Sequence, residues 1–421
     1  MTVQPMTSSR LFLSLLFAST AFCHAAPLLA GTYTDSAHGD AAVGVKRTPA
    51  QLTDYSRGNC AHCHEQHASI DGAIPAPATG DASAFALFAD NFDTTATTKP
   101  YVQADNFCFY CHTSSSSFQS GGIDNKDYTA TFGGYATGSP AGILEAFNLA
   151  SYHNLKDIVN FADNAFDYFT ASSNPCTACH NPHLARRNKA NVTDPAYTAI
   201  SRPTDHFDLW GNDAAERMDV SSGNKYQAPY YYNSAVTYEP GATPTSNGSL
   251  TPDYNTFCTD CHNTVNTIYS TTLGRNLKQI DWNNEKHGKG NADSYISVKT
   301  PYSAGNGSLG YVLSCLDCHE PHGSPNTYLF RRKINRIPLT GTITDGYNLS
   351  YLCDQCHDKG GGTWENIHHS LNDYPYNKMM CGGCHGTGYP QRCERCHFHG
   401  AITGTSGIQQ PTNGVTNRRT F

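Results

Sequence analysis

Eight copies of the pattern Cys-x-x-Cys-His constrain this chain more than any other feature of its sequence. The copies begin at Cys60, Cys108, Cys176, Cys258, Cys315, Cys353, Cys381 and Cys393. They use sixteen of the seventeen cysteines, and the remaining one, Cys23, lies near the amino terminus. Because a histidine follows every cysteine pair, an interpretation that explains only the thiols is insufficient.

Structural zinc, disulfide bonds and covalent haem are the three interpretations of such cysteines. Zinc ribbons use Cys-x-x-Cys but need no histidine after every pair. Disulfides suit an exported protein and also leave the histidines without a role. Attachment of c-type haem uses every element, because two thiols bond to the haem vinyl groups and the adjacent histidine becomes an axial ligand of the iron. The sequence therefore predicts eight covalent haem c groups.

Each motif supplies two attachment cysteines and one proximal ligand. The predicted attachment residues are Cys60, Cys63, Cys108, Cys111, Cys176, Cys179, Cys258, Cys261, Cys315, Cys318, Cys353, Cys356, Cys381, Cys384, Cys393 and Cys396. The predicted proximal ligands are His64, His112, His180, His262, His319, His357, His385 and His397.

Histidines outside the motif positions are candidates for the second axial face of each iron. One selection fills all eight positions with His38, His67, His153, His183, His287, His322, His369 and His399. His206 and His368 remain alternatives, whereas His62, inside a motif, is discounted because its backbone is held against its own haem. Two histidines on every iron would leave no position for a substrate and would favour electron transfer.

The length of the tether predicts which haem some of these histidines bind. His67, His183 and His322 lie three residues beyond a motif histidine, which is too short a connection to reach the far face of the same haem. We therefore expect each to bind a neighbouring haem. His399 follows His397 by two residues, and the haem of the seventh motif, at Cys381 and Cys384, is its simplest predicted partner.

The amino terminus predicts export. In residues 1–25, Arg10 is the only charged residue before the apolar run LFLSLLFASTAF, and small residues precede an expected cleavage after Ala25. Lipidation of Cys23 is disfavoured because Phe22 is large for the preceding position. No later segment is apolar enough to cross a membrane. We expect a protein of the periplasm or outer surface, where c-type haem is attached in bacteria.

Composition predicts the fold class and excludes one kind of partner. Removing Arg10 from the 28 basic residues leaves 27 against 35 acidic ones, a net charge of −8, so no nucleic-acid partner is expected. Only 38% of residues are hydrophobic, which is little for an ordinary core. We expect a mostly irregular, loop-rich, haem-cored fold with short α-helices and few or no strands.

Motif spacing predicts the organisation of the chain. A three-haem region over 26–183 precedes a tyrosine-rich, haem-free spacer over 184–257, a five-haem region over 258–400 and a polar tail over 401–421. Apolar residues at helical spacing predict the longest helical stretch over 143–169.

Two motifs carry an extended pattern, Cys-x-x-Cys-His-x-Pro-His, as CTACHNPH and CLDCHEPH, each followed by an arginine pair. The mature chain resembles the multihaem c-type cytochromes of dissimilatory metal-reducing bacteria, in which the last histidine of the doubled motif ligates a neighbouring haem. The resemblance implies electron transfer to other redox proteins or to extracellular acceptors, and some relatives form filaments by sharing a ligand between subunits. A homo-oligomer or filament is therefore also an expectation. The arginines expected to pair with haem propionates are Arg186, Arg187, Arg331 and Arg332.

An octahaem redox enzyme acting on hydroxylamine, nitrite or tetrathionate is the alternative function. Some such enzymes replace one motif histidine by lysine, and no Cys-x-x-Cys-Lys occurs here. The surplus of histidines favours closed irons and hence an electron carrier rather than a catalyst.

Overall fold

The computed structural model describes residues 33–36, 38–42, 44–48, 52, 54–65, 85–120, 140–167, 169–183, 254–282, 287, 297–298, 315–334, 337–344, 348–358 and 399. The chain divides into two units, Met1–Gly31 and Thr32–Phe421, and every described residue belongs to the second. The predicted signal peptide, polar tail and last two motifs lie outside the described residues, as does most of the spacer. The predicted domain boundaries therefore stay predictions.

Helices in the described residues are short, and most of them begin at or just before a cysteine pair. The α-helices are α1 (Ile143–Phe147), α2 (Leu155–Ala165), α3 (Tyr254–Thr259), α4 (Cys315–Cys318) and α5 (Ser350–Cys353). Single turns of 3₁₀ helix cover Tyr33–Asp35, Cys60–His62, Gln103–Asp105, Phe107–Tyr110, Pro175–Ala178 and Thr327–Leu329. None of the helices that the structure describes has the length and apolar character needed to span a membrane.

The helical stretch predicted over 143–169 contains two helices, α1 and α2, with a strand between them. Asn154 starts α2 by accepting hydrogen bonds from the backbone N–H groups of Lys156 and Asp157, at 2.9 and 3.1 Å. Such an N-cap needs extended backbone at Asn154, which is incompatible with a continuous helix. The apolar periodicity predicted the helical residues but not this break.

Strands in the described residues are two residues long and form four antiparallel pairs. The strands are β1 (Ser151–Tyr152), β2 (Tyr269–Ser270), β3 (Arg275–Asn276), β4 (Ser297–Val298), β5 (Gly323–Ser324), β6 (Lys333–Ile334), β7 (Ile337–Pro338) and β8 (His357–Asp358). The pairs are β1 with β5, β2 with β3, β4 with β8, and β6 with β7.

The β1–β5 pair positions two histidines. Tyr152 faces Gly323 and Ser151 faces Ser324 in its register, so His153 and His322, which flank these strands, are brought together. A Cβ atom at Gly323 would lie 1.9 Å from the carbonyl oxygen of Ala146 in α1, so only glycine permits this approach.

Apolar side chains form three small clusters instead of one large core in the described residues. The first contains Tyr101, Phe109, Leu144, Phe147, Tyr152 and Leu155. The second contains Phe330, Ile334, Ile343, Leu349 and Leu352, with Cys318 and Cys356 packed against it. The third contains Val159, Ala162, Phe169 and Ala178, with Cys179 packed against it. Each cluster therefore contacts at least one cysteine motif.

Candidate haem-ligand site

Each of the first five motifs folds into one tight turn that brings its cysteines and histidine together. The backbone N–H of the histidine donates to the carbonyl oxygen of the first cysteine, at 2.8 Å for His64 and Cys60 and 2.9 Å for His262 and Cys258. This bond closes the same ring of atoms as one turn of α-helix. The turn explains why the two thiols and the imidazole act as a unit.

An asparagine before the cysteines caps three of these turns. The side chains of Asn106 and Asn174 each accept from the N–H of the first cysteine, two residues later, at 2.9 Å. Asn59 accepts from the N–H of Ala61 at the same distance. These caps were not among the sequence predictions, although asparagine just before a helical turn is a recognisable N-cap signal.

None of the twelve cysteines that the structure describes forms a disulfide bond. Burial raises the pKa of Cys63 to about 11 and that of Cys111 to about 12. The described part of the chain thus matches no disulfide framework, and no group of three or more His, Cys, Asp or Glu side chains in it is placed to hold a metal ion.

Histidines meet in pairs, each consisting of one motif histidine and one histidine from elsewhere. The ring centroids of six such pairs are 5.9–6.2 Å apart. The pairs are His64 with His183, His112 with His38, His180 with His322, His262 with His153, His319 with His399, and His357 with His287.

This spacing fits an iron between the two rings. A metal ion bonded to two imidazoles on opposite sides, with metal–nitrogen bonds of about 2 Å, separates their centroids by roughly 6 Å. Burial lowers the pKa of His180, His319 and His322 to about 4 and that of His262 to about 3. These imidazoles are therefore neutral at pH 7 and have a lone pair to offer a metal.

Backbone carbonyls orient several of these rings. Nδ1 of His64 donates to the carbonyl oxygen of Phe85 at 3.0 Å, and Nδ1 of His319 donates to that of Tyr328 at 2.8 Å. A proton held on Nδ1 leaves Nε2 as the coordinating nitrogen and raises its basicity.

The described residues include six predicted proximal ligands and six of the predicted distal ligands, and every one of these twelve is in a pair. The other ligand candidates, His67, His206, His368, His369, His385 and His397, lie outside the described residues. His183 and His322 each pair with the histidine of a different motif, as the short-tether argument requires.

His399 differs from the sequence prediction. Its ring lies 6.2 Å from that of His319 in the fifth motif, whereas we expected it beside the seventh motif, at Cys381 and Cys384. The short tether excluded the haem of its own motif but could not select among neighbours. That choice depends on chain packing over a separation of eighty residues in sequence.

His62 has a structural position. It is 0% exposed, and its Nδ1 accepts from the backbone N–H of Arg47 at 3.3 Å while its Nε2 donates to the carbonyl of Ser56 at 3.0 Å. Because both ring nitrogens contact backbone, His62 has no nitrogen left for a metal.

Cys176–His183 is the first doubled segment and Cys315–His322 is the second. In the first doubled segment, the final residue His183 pairs with His64 of the first motif, with ring planes 11° apart. The carbonyl oxygen of Pro182 accepts from Nδ1 of His38 at 2.8 Å, and His38 pairs with the second motif. The first doubled segment thus contacts ligands of the first, second and third motifs.

The second doubled segment repeats this arrangement. Its final residue His322 pairs with His180 of the third motif, with ring planes 14° apart. The carbonyl oxygen of Pro321 accepts from Nδ1 of His153 at 2.5 Å, and His153 pairs with the fourth motif. The second doubled segment thus contacts ligands of the third, fourth and fifth motifs.

Cysteines of successive motifs also lie near one another. Cys176 of the third motif lies close enough to Cys108 of the second to raise its pKa, and Cys315 of the fifth raises the pKa of Cys258 in the fourth in the same way. Cys63 of the first motif raises the pKa of Cys111 in the second, and Cys179 of the third raises that of Cys261 in the fourth. Motifs one to five therefore follow one another in space in chain order.

Of the arginines expected to bind propionates, Arg331 and Arg332 are described and Arg186 and Arg187 are not. Arg331 is 5% exposed and lies close enough to Glu320 to oppose the effect of burial on the pKa of that carboxyl. Propionate pairing of these arginines stays a prediction.

A short segment of the chain is similar to a known protein family. The model of the doubled CXXCH motif family matches residues 312–340, which contain the second doubled segment. No curated protein and no solved structure matches the chain. The matched motif points to a multihaem c-type cytochrome that binds its haem covalently.

Proposed function

We propose that this protein is an electron carrier with eight covalent haem c groups, each held between two histidines. The observation that carries the proposal is the set of six pairs of histidine rings, each joining a motif histidine to one from elsewhere at 5.9–6.2 Å. The two motifs outside the described residues have the same sequence pattern, and their distal ligands would come from His67, His206, His368 and His369.

Two ligand histidines suit electron transfer. When bound, each haem supplies an iron that alternates between ferric and ferrous states. The paired imidazoles would occupy both axial positions, so substrate would have no site. Short helices and strands, together with hydrogen bonds to backbone carbonyls, hold these rings. Such support limits rearrangement of the ligands between the two oxidation states.

The arrangement of the motifs supports a chain of haems. Cysteine neighbours run from the first motif to the fifth in chain order, and Cys318 and Cys356 of the fifth and sixth motifs pack against one apolar cluster. We infer that electrons pass through the haems in this order.

The proposal extends to location and partners. Residues 1–25 would direct export of the protein. It would then exchange electrons in the periplasm or at the outer surface with redox proteins or with metals and other external acceptors. It would do so as a monomer, homo-oligomer or filament. Cell fractionation with protease shaving would locate it, and electron microscopy would reveal filaments. Recovery of the haem protein in the cytoplasm would contradict this part of the proposal.

Intact mass and spectroscopy test the central claim. The expected mass includes eight haems after acid–acetone extraction, and the expected ferric spectrum is low-spin, without turnover of nitrite or hydroxylamine. A persistent high-spin fraction together with rapid turnover of either substrate would favour the octahaem enzyme instead. Fewer than eight haems would show that one motif is not used.

A further inference from the structure

Arg47 is buried against the first motif, with 2% of the residue exposed. Its Nη2 donates to the carbonyl oxygen of Ala61 at 3.1 Å, and its backbone N–H donates to His62. The guanidinium carbon lies 3.7 Å from the centroid of the Phe88 ring, a distance typical of a cation–π contact. The two residues between the cysteines of the first motif thus hold Arg47 in place.

Several buried hydrogen-bond donors around the Arg47 guanidinium lack an acceptor. Nε and Nη1 of Arg47 have no hydrogen-bond partner among the residues that the structure describes, and neither has Nε2 of Gln119. Arg47 and Gln119 form an antiparallel backbone bridge, and residues directly opposite in such a bridge project their side chains to the same face. Gln119 is 8% exposed. Three buried donors on one face therefore await an acceptor.

An anion is the acceptor that best fits these donors. A guanidinium stays protonated in proteins, and burying it unpaired costs several kcal/mol. Within the described residues no ion pair joins Arg47 to an acidic side chain. Burial lowers the pKa of Arg47, and Cys63, Cys111 and Glu65, whose carboxylate forms no ion pair with the guanidinium, oppose that shift. The guanidinium therefore lies near attachment cysteines of the first and second motifs.

We propose that Arg47 and Gln119 form a binding site for a carboxylate, the propionate of a haem attached at the first or second motif. A planar fork of two guanidinium N–H groups matches the two oxygens of a carboxylate, and the amide of Gln119 adds a third donor. The inference rests on the proposed function, because it requires haem at these two motifs. The sequence prediction placed propionate binding in the arginine pairs and did not include Arg47.

A density map of the holoprotein tests the site directly. We expect a propionate carboxylate within hydrogen-bond distance of both Nε and Nη1 of Arg47. A map in which these atoms contact only water or an inorganic anion would overturn the site. If haem is missing from the first and second motifs, the proposed function fails, whereas haem present with its propionates elsewhere defeats only this inference.

Variants give a second test. Arg47→Gln should shift the redox equilibrium of one haem about tenfold toward the ferric form, about 59 mV for a one-electron couple, because a positive charge near the iron is lost. Arg47→Lys, which keeps a charge but not the fork, should show a smaller shift. Arg275→Gln, at an exposed position, is the control and should show none. Unchanged potentials in a folded Arg47→Gln protein would refute the proposal, and the wild-type map decides if that variant does not fold.

Discussion

The two doubled segments have the same geometry in different surroundings. The second histidine is exposed in the first segment, at His183, and half-buried in the second, at His322; burial lowers the pKa of both, to about 4 for His322. A 3₁₀ helix that begins at Pro175 covers the start of the first segment. Strand β5 directly follows the end of the second segment. In both segments the second histidine nevertheless pairs with the histidine of the motif two positions earlier in the chain. The pattern itself, and not its surroundings, therefore determines the geometry.

The residue directly after the motif histidine differs most between the two doubled segments. Asn181 and Glu320 are 4% and 3% exposed, and each accepts from the backbone N–H of the second histidine, at 2.7 and 3.4 Å. Burial raises the pKa of the Glu320 carboxyl well above its usual range, against the opposing effect of Arg331. In both segments, therefore, a buried side-chain oxygen accepts from the second histidine at this position.

The largest expected effect comes from removing attachment at either doubled segment. Replacing both Cys315 and Cys318 by serine should nearly abolish folded protein, because losing the haem would remove the contacts around it and the total stability of a typical domain is only about 5–15 kcal/mol. The same change at Cys176 and Cys179 should be somewhat milder, since the second segment also continues into β5. Yield and intact mass provide the measurement. A stable, fully folded protein lacking either haem would contradict the proposed role of haem in the fold.

Removing the second histidine should have a smaller, local effect. His183→Ala and His322→Ala should each convert one haem to high spin, because each ring faces a motif histidine at 5.9 and 6.1 Å. Electron paramagnetic resonance and absorption spectra count the converted sites. His62→Gln, which changes a histidine held by backbone, is the matched control and should leave all haems low-spin. An unaltered spectrum in only one of the two alanine variants would break the equivalence of the segments.

The free energy of unfolding should depend on pH through Glu320 in the second doubled segment, and Asn181 in the first should contribute no such dependence. Glu320 holds its proton more tightly in the folded state than its ordinary pKa of 4.5 allows, so its stabilisation is full below about pH 4.5 and is lost as the pH rises toward the folded pKa. The loss is about 1.4 kcal/mol per unit of pKa difference. Glu320→Gln should abolish it, and Asn181→Asp should introduce it in the first segment. Thermal unfolding from pH 5 to pH 9 provides the measurement, and identical profiles for wild type and Glu320→Gln would refute the assignment.

The smallest expected effect concerns the prolines. Pro182→Ala and Pro321→Ala keep the carbonyl that orients His38 and His153 but free the backbone, so each should lower the free energy of unfolding by about 0.4–1 kcal/mol with every haem still low-spin. Pro338→Ala, at an exposed position in β7, is the comparison variant. Denaturant titration gives the free energies. A change of spin state in either segment variant would mean that proline rigidity itself holds the distal ligand.

Local patterns explain what could be predicted of the fold. Apolar spacing predicted helix within 143–169 because the residues that pack, such as Leu155 and Val159, recur at helical intervals. The break at Asn154 was missed because a hydrophobic pattern does not register a cap. The two-residue strands have no sequence signal, because pairings such as β1 with β5 join segments more than 170 residues apart in sequence and have no periodicity of their own.

The cofactor chemistry was determined by the sequence itself, because two thiols and a histidine within five residues act through a local turn. Tether length also determined that His183 and His322 face another motif. Only the tertiary structure decided which one: His183 faces the first motif and His399 the fifth. Choosing a distal partner requires two distant segments to meet, and their meeting depends on contacts such as the glycine at position 323 against α1, which no spacing along the chain encodes. The placement of Arg47 beside the first motif was decided in the same way.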